Sequence, residues 1–211
     1  MMPRVRFVAR WICGLCAGIG LIGVTPFASD AGAGVGNAVA PGPLAGDSLY
    51  QLSIPLETQR GTNLTLSDFR GRPLLITMFY TQCTAVCPIL TSTLQRLDRR
   101  LTPPERTRLS VLMVSFDAEN DTAAALAAFA AEHRIDDARW VLARATVTDV
   151  RTLAAALGIR YRKLPDGSFN HSSIITLLDS QGVIRSQSSE LTRVDDALLN
   201  ATAAATRTPH R

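Results

Sequence analysis

An α/β sandwich, a central mixed sheet flanked by helices, is the fold class the sequence predicts, and three observations carry it. Two near-continuous apolar runs, Pro73 to Tyr80 and Leu109 to Phe116, have the composition of strands covered on both faces. Helical spacing follows the first run in Pro88 to Leu101, where Leu90, Leu94, Leu97 and Leu101 lie along one face. The last third holds a hairpin pattern, Ser172 to Leu178 and Val183 to Ser188 about a turn at Ser180-Gln181-Gly182. Strands alternating with helices, then a closing hairpin and helix, describe a thioredoxin-like sandwich.

The elements are expected in this order. The folded part starts near Ser48. Gln51 to Glu57 alternates weakly, as an edge strand does, and Leu64 to Phe69 leads to a turn at Gly71. After the first apolar strand and its helix, Pro103-Pro104 is expected to stop the chain's helical run. Asp121 to His133 is an Ala-rich helix with Asp and Asn before it as cap candidates. Val147 to Leu157 is a third helix, stopped by Gly158. Pro165-Asp166-Gly167 marks a turn before the hairpin, and Leu191 to Ala205 is the last helix. No internal repeat interrupts this order.

With 211 residues, 46% hydrophobic and 19% charged, the chain suits one globular domain, placed at 48–205 and followed by a polar tail at 206–211. The formal charge of +4 is concentrated at the front: without residues 1–33, 19 basic residues face 17 acidic ones. No like-charge block and no basic patch interleaved with aromatics points to nucleic acid. Arg4, Arg6 and Arg10 precede an uncharged run from Trp11 to Ser29, and small residues follow at Ala28, Ala31 and Ala33. That is an export signal, cleaved or kept as a membrane anchor over 1–33, and it places the domain in the periplasm or on the outer side of the inner membrane. Residues 34–47, rich in Gly, Ala and Pro, read as a flexible linker.

Four cysteines occur. Cys13 and Cys16 have CxxC spacing but sit inside the apolar run, where they serve as small hydrophobic residues. The exported domain then has Cys83 and Cys87 only, and in an oxidising compartment two thiols either pair or have a use. Proline is at home in the first helical turn and the residue before it resists the α conformation, so Pro88 is expected to open the helix with Cys87 at its cap. Cys83 lies in the loop before it. The helix N-terminus directs free N–H groups at this loop and favours thiolate, the form that attacks disulfides and binds metals. The spacing is compatible with a static disulfide, an active dithiol or a metal site.

A third ligand would favour metal. His210 is in the polar tail and His133 near the polar end of the Ala-rich helix, where a solvated histidine is expected. His171 immediately precedes the strand Ser172 to Leu178, whose end can lie beside the cysteine loop; it is either a ligand or a surface histidine. Two thiolates with one imidazole form a soft three-ligand set suited to Cu(I) and, with rearrangement, Cu(II). Met78 and Met113 fall inside the buried strands and read as core.

With these residues in view the chain resembles the SCO/SenC family of copper chaperones for cytochrome oxidase assembly. The likeness covers roughly 48–200. It rests on Asp68-Phe69-Arg70-Gly71-Arg72-Pro73, on Phe79-Tyr80-Thr81-Gln82-Cys83 to Cys87-Pro88, on Val114-Ser115-Phe116-Asp117 with Asn120-Asp121-Thr122, and on His171-Ser172 before Leu177-Leu178-Asp179 and Gly182. The resemblance implies a thioredoxin-like domain that binds copper through Cys83, Cys87 and His171. It also implies subunit II of cytochrome c oxidase as copper acceptor, with another copper chaperone or a thiol reductant as further partners. Asp117 matches a family position near the metal loop, where it either supports the site, docks a partner or acts as a turn residue. The family's proline and acidic residue after its first cysteine are here Thr84 and Ala85. Its Asp before the histidine is Asn170, and its Pro after Phe-Asp is Ala118. Changes beside ligands tune affinity and potential without removing a site.

Three other readings compete with metallochaperoning. A thiol:disulfide oxidoreductase, reducing a partner's cysteines before metallation, needs both thiols but not the imidazole. A thiol peroxidase is suggested by Thr84 three residues before Cys87, yet Tyr80 stands where that class has proline. An interaction module would keep the cysteines as a structural disulfide.

Overall fold

The computed structural model describes residues 43–135 and 138–207. The export segment 1–33, the linker up to residue 42, Cys13, Cys16 and His210 lie outside the described residues. Among the described residues, no helix is long and apolar enough to cross a membrane.

The chain runs β1 (Pro55–Thr58), β2 (Asn63–Thr65), β3 (Leu74–Phe79), α1 (Val86–Arg100), α2 (Pro103–Arg108), β4 (Ser110–Ser115), α3 (Ala123–Glu132), β5 (Trp140–Arg144) and α4 (Val147–Ala156). It continues through β6 (Tyr161–Lys163), β7 (Phe169–His171), β8 (Ile175–Leu178), β9 (Ile184–Ser188) and α5 (Asp196–Arg207). Seven strands form a mixed sheet in the order β2-β1-β5-β4-β3-β8-β9, and β6 and β7 form a separate hairpin. The thioredoxin-like sandwich expected from the sequence is the fold observed. Every residue of β3 and of β4 is buried, as their unbroken apolar composition requires. The three leucines of α1 and its C-cap Leu101 are 4% exposed or less.

Several local expectations need correction. Pro103-Pro104 stops α1 but at once opens α2: Thr102 caps it, its N–H donating to Glu105 Oε2 at 2.8 Å, and proline loses nothing at a position whose N–H has no intrahelical partner. The cap of α3 is Thr122, whose hydroxyl accepts from the Ala125 N–H at 3.2 Å. The strand expected over Gln51 to Glu57 is β1, shifted to Pro55–Thr58. It is not an edge strand, since β2 pairs on one side and β5 on the other. The last helix starts later than Leu191 and runs through Arg207, into the expected tail.

Gly182 closes the β8–β9 turn with φ +83°, and a Cβ there would meet the Tyr50 ring at 2.6 Å. Tyr50 is itself 4% exposed, so its ring has no space to retreat into. Gly182→Ala combines a left-handed backbone with overpacking and is expected to cost about 2–4 kcal/mol, read as a lower midpoint in equilibrium denaturation.

Topology sets the functional end. Strands β3, β4 and β5 are parallel, so the loops after β3 and β4 emerge together at their carboxyl ends. Strand β8 runs antiparallel to β3, with Ile76 opposite Thr176 and Leu74 opposite Leu178, which brings the entry to β8 to that same end. The Thr77 hydroxyl fixes this approach by donating to the Ile174 carbonyl at 2.7 Å.

Candidate metal centre

The loop after β3 carries Cys83, and α1 begins at Val86, so Cys87 lies in the first helical turn and not at the cap expected before Pro88. Pro88 as third helical residue still sits where a backbone N–H has no intrahelical partner, which is why the helix can start before it. No side chain caps α1. Instead the cysteine sulfur takes the amides: the Cys87 N–H donates to Cys83 Sγ at 3.3 Å. Both cysteines are free thiols, Cys83 8% exposed and Cys87 fully buried.

The two thiols are electrostatically unlike. Burial works against the Cys83 thiolate, yet hydrogen bonds from the Cys87 thiol and from the amides of Cys87, Ala85 and Val86 outweigh it and hold its pKa below the ordinary thiol value. Burial pushes the Cys87 thiol well above that value, and the charges of Cys83 and Asp121 push it the same way. One stabilised thiolate thus stands beside one retained thiol. Cys83 is therefore expected to be alkylated first, with half-maximal rate at a pH below that of an ordinary thiol, and Cys87 much more slowly; mass mapping of iodoacetamide adducts against pH checks the order.

His171 ends β7, opposite Tyr161 on β6, and so belongs to a short hairpin and not to the loop directly before β8. The hairpin is tied to the chain before it by the Ser172 N–H, which donates to the Arg160 carbonyl at 2.9 Å. Its inner face packs as a cluster of rings: Phe116 lies 4.9 Å from both Tyr161 and His171, and Tyr80 stands 5.1 Å from Phe169. These contacts seat the imidazole. Nδ1 donates to the Ser172 carbonyl at 3.3 Å, which leaves the lone pair on Nε2. Burial lowers the His171 pKa, partly opposed by the Ser172 carbonyl, so the ring is neutral and able to ligate at neutral pH.

Among the described residues, Cys83, Cys87 and His171 form the group able to hold a metal ion, with one donor atom from each lying within 4.8 Å of the others. Two donors each about 2.3 Å from one ion stand about 4 Å apart, so this trio is close to a coordinating shape. Met78 and Met113 are core residues, 1% exposed or less, as their strand positions predict. His133 follows α3 with its ring 4.2 Å from Phe129, outside this group.

Asp117 lies in the loop after β4, 3% exposed and outside the trio. Its carboxylate accepts from the Asn120 side chain at 2.8 Å and faces Lys163 Nζ at 3.9 Å, so it links this loop to the β6–β7 hairpin that carries His171. Sequence reading gave no role to Tyr80 or Asp121. The Tyr80 hydroxyl accepts from the Phe169 N–H at 3.5 Å, joining the cysteine side of the site to the histidine side. The position of Tyr80, three residues before Cys83 at a strand end, was the available signal.

A family model described as SCO1/SenC matches residues 47–206. A curated SCO1 protein homolog of Bacillus subtilis (strain 168) is 29% identical over 84 residues, 40% of this chain; the match spans 43% of that relative's length. Among solved structures, the copper-bound ScoI of Bradyrhizobium japonicum has a TM-score of 0.61 at 22% identity, covering 73% of this chain and 95% of that one. BsSco, a member of the Sco family of cytochrome c oxidase assembly proteins with a disulfide switch, has a TM-score of 0.63 at 22% identity, covering 72% and 90%. At these identities the structural likeness establishes the fold.

Proposed function

The chain belongs to the SCO1/SenC family, and from that premise we propose that it is a copper metallochaperone of the periplasm or the outer side of the inner membrane, acting on subunit II of cytochrome c oxidase. The observation that carries this reading is the trio itself: two thiols and a neutral imidazole within 4.8 Å, a soft donor set that fits Cu(I) and accepts Cu(II) with rearrangement. The copper-bound state of the Bradyrhizobium structure and the assembly role stated for BsSco support it.

The residues divide the work by accessibility. The Cys83 thiolate makes first contact, and Cys87 gives up its proton as it ligates, so binding releases protons and tightens as pH rises. His171, half-buried at the end of a short hairpin, is the ligand an acceptor reaches and displaces most readily. Copper then leaves by stepwise exchange onto the acceptor's ligands. Mixing copper-loaded protein with a soluble, reduced domain of subunit II tests delivery: the acceptor's copper spectrum should appear as the donor's fades, and an acceptor that stays colourless sinks this reading.

The unequal thiols favour a second reading, reduction of a partner's disulfide. The Cys83 thiolate attacks one partner sulfur, and Cys87 resolves the mixed disulfide, leaving the Cys83–Cys87 disulfide and a reduced partner. The disulfide switch described for BsSco supports it. Reduction needs no imidazole, so reductase activity surviving in His171→Ala separates the two roles.

A further inference from the structure

We propose that Asp121 is a positioning residue for the thiol pair, its buried carboxylate tying the cysteine loop to the end of β4 and setting a negative charge beside that loop. The sequence places Asp121 as the first residue of the Ala-rich helix, yet Thr122 caps α3 and the Asp121 carboxylate turns inward, 1% exposed. There it accepts from the Thr81 N–H at 3.0 Å and from the Thr81 hydroxyl at 2.5 Å, two residues before Cys83. The Ser115 hydroxyl, at the end of β4, donates to it as well, and Ser115 Oγ accepts from the Asp117 N–H at 2.9 Å. Thr81, Ser115 and the Asp117 loop are thus gathered on one carboxylate.

Among the described residues no Lys, Arg or His forms an ion pair with Asp121 in the structure. Its hydrogen-bond partners are neutral donors, so no cation is set against the carboxylate inside the fold. The reduced pair carries the charge of the Cys83 thiolate, and the disulfide carries none. An anion beside the cysteine loop therefore weights the balance toward the disulfide, and removing it favours the dithiol.

This inference rests on the thiol pair being the working site, as proposed above, but its test needs no copper. The copper-free full chain is equilibrated with glutathione, in which the Cys83–Cys87 disulfide plus two glutathione thiols gives the dithiol plus glutathione disulfide. Asp121→Asn keeps an acceptor oxygen and loses the charge; its equilibrium should move toward the dithiol by about threefold or more. Thr81→Val removes a donor that offsets the carboxylate, so its equilibrium should move the other way, by about twofold. A residue that merely braced the loop would shift both variants in one direction or neither, and either result overturns the proposal. Should Asp121→Asn fail to fold, Thr81→Val decides alone: a shift toward the disulfide supports the role, and no shift or the opposite shift refutes it. Failure of copper binding in the wild-type protein would leave this equilibrium readable, so the two ideas fall separately.

Discussion

Replacing Cys87 with serine is expected to abolish stoichiometric Cu(I) binding by the reduced protein while leaving the fold in place. The site has two soft donors, and a serine hydroxyl is a hard one that stays protonated at neutral pH, so the ion would be left with one thiolate and one imidazole. Loss of an outer partner typically costs a metal site about 10–100-fold in affinity, and loss of a sulfur ligand is expected to exceed about 100-fold. The fold should tolerate the change. Serine is close to cysteine in shape, and the bond from residue 87 to Cys83 Sγ comes from the backbone N–H, which remains. The free energy of unfolding is expected to fall by no more than about 1–3 kcal/mol, the range for burying an imperfectly satisfied hydroxyl. A competition titration against a Cu(I) chelator, paired with urea denaturation of the copper-free variant, checks both parts.

The second large effect is on stability. Asp98, near the end of α1, receives two parallel bonds from Arg139, at 2.8 and 3.0 Å, with the side chains 10% and 17% exposed. This bidentate pair joins the helix that carries Cys87 to the segment entering β5. Asp98→Ala takes both of these bonds from a largely buried guanidinium, which keeps its bond to the Arg106 carbonyl at 3.3 Å. Removing one partner of a buried pair costs about 3–5 kcal/mol, because the other charge stays desolvated. For a domain of this size that is a fall in Tm of about 10 °C. Removing both charges, in Asp98→Leu with Arg139→Met, should recover most of the loss, since well-packed apolar replacements of buried pairs are often neutral. Calorimetry of the two variants distinguishes loss of the pair from a general disruption of the helix.

How much of this was legible in the sequence depended on how local the signal was. The cysteines announced themselves by spacing and by Pro88, and strands β3 and β4 by near-continuous apolar runs that fit strands covered on both faces. Strand β5 was missed because Trp140–Arg144 is short and ends in arginine, so its burial comes from its neighbours β4 and β1 and not from its own pattern. The hairpin of β6 and β7 was hidden for a similar reason: each strand has three residues, and only the turn at Pro165-Asp166-Gly167 was readable. That omission mattered most, because the hairpin orients His171. Its partnership with the cysteines spans more than eighty residues of chain and is set by the antiparallel register of β3 and β8. Asp121 is the expected first residue of the Ala-rich helix; the helix starts two residues later with Thr122 as its cap, and the Asp121 carboxylate turns inward.

The central claim is that Cys83, Cys87 and His171 act as one copper site. An anaerobic Cu(I) titration of the reduced protein, run beside His171→Ala, tests it most directly. The expected result is one tightly bound copper per chain in the wild-type protein, and an affinity lower by at least about 10-fold in His171→Ala. Absence of stoichiometric binding in the wild type, or equal affinity in the two proteins, would contradict it.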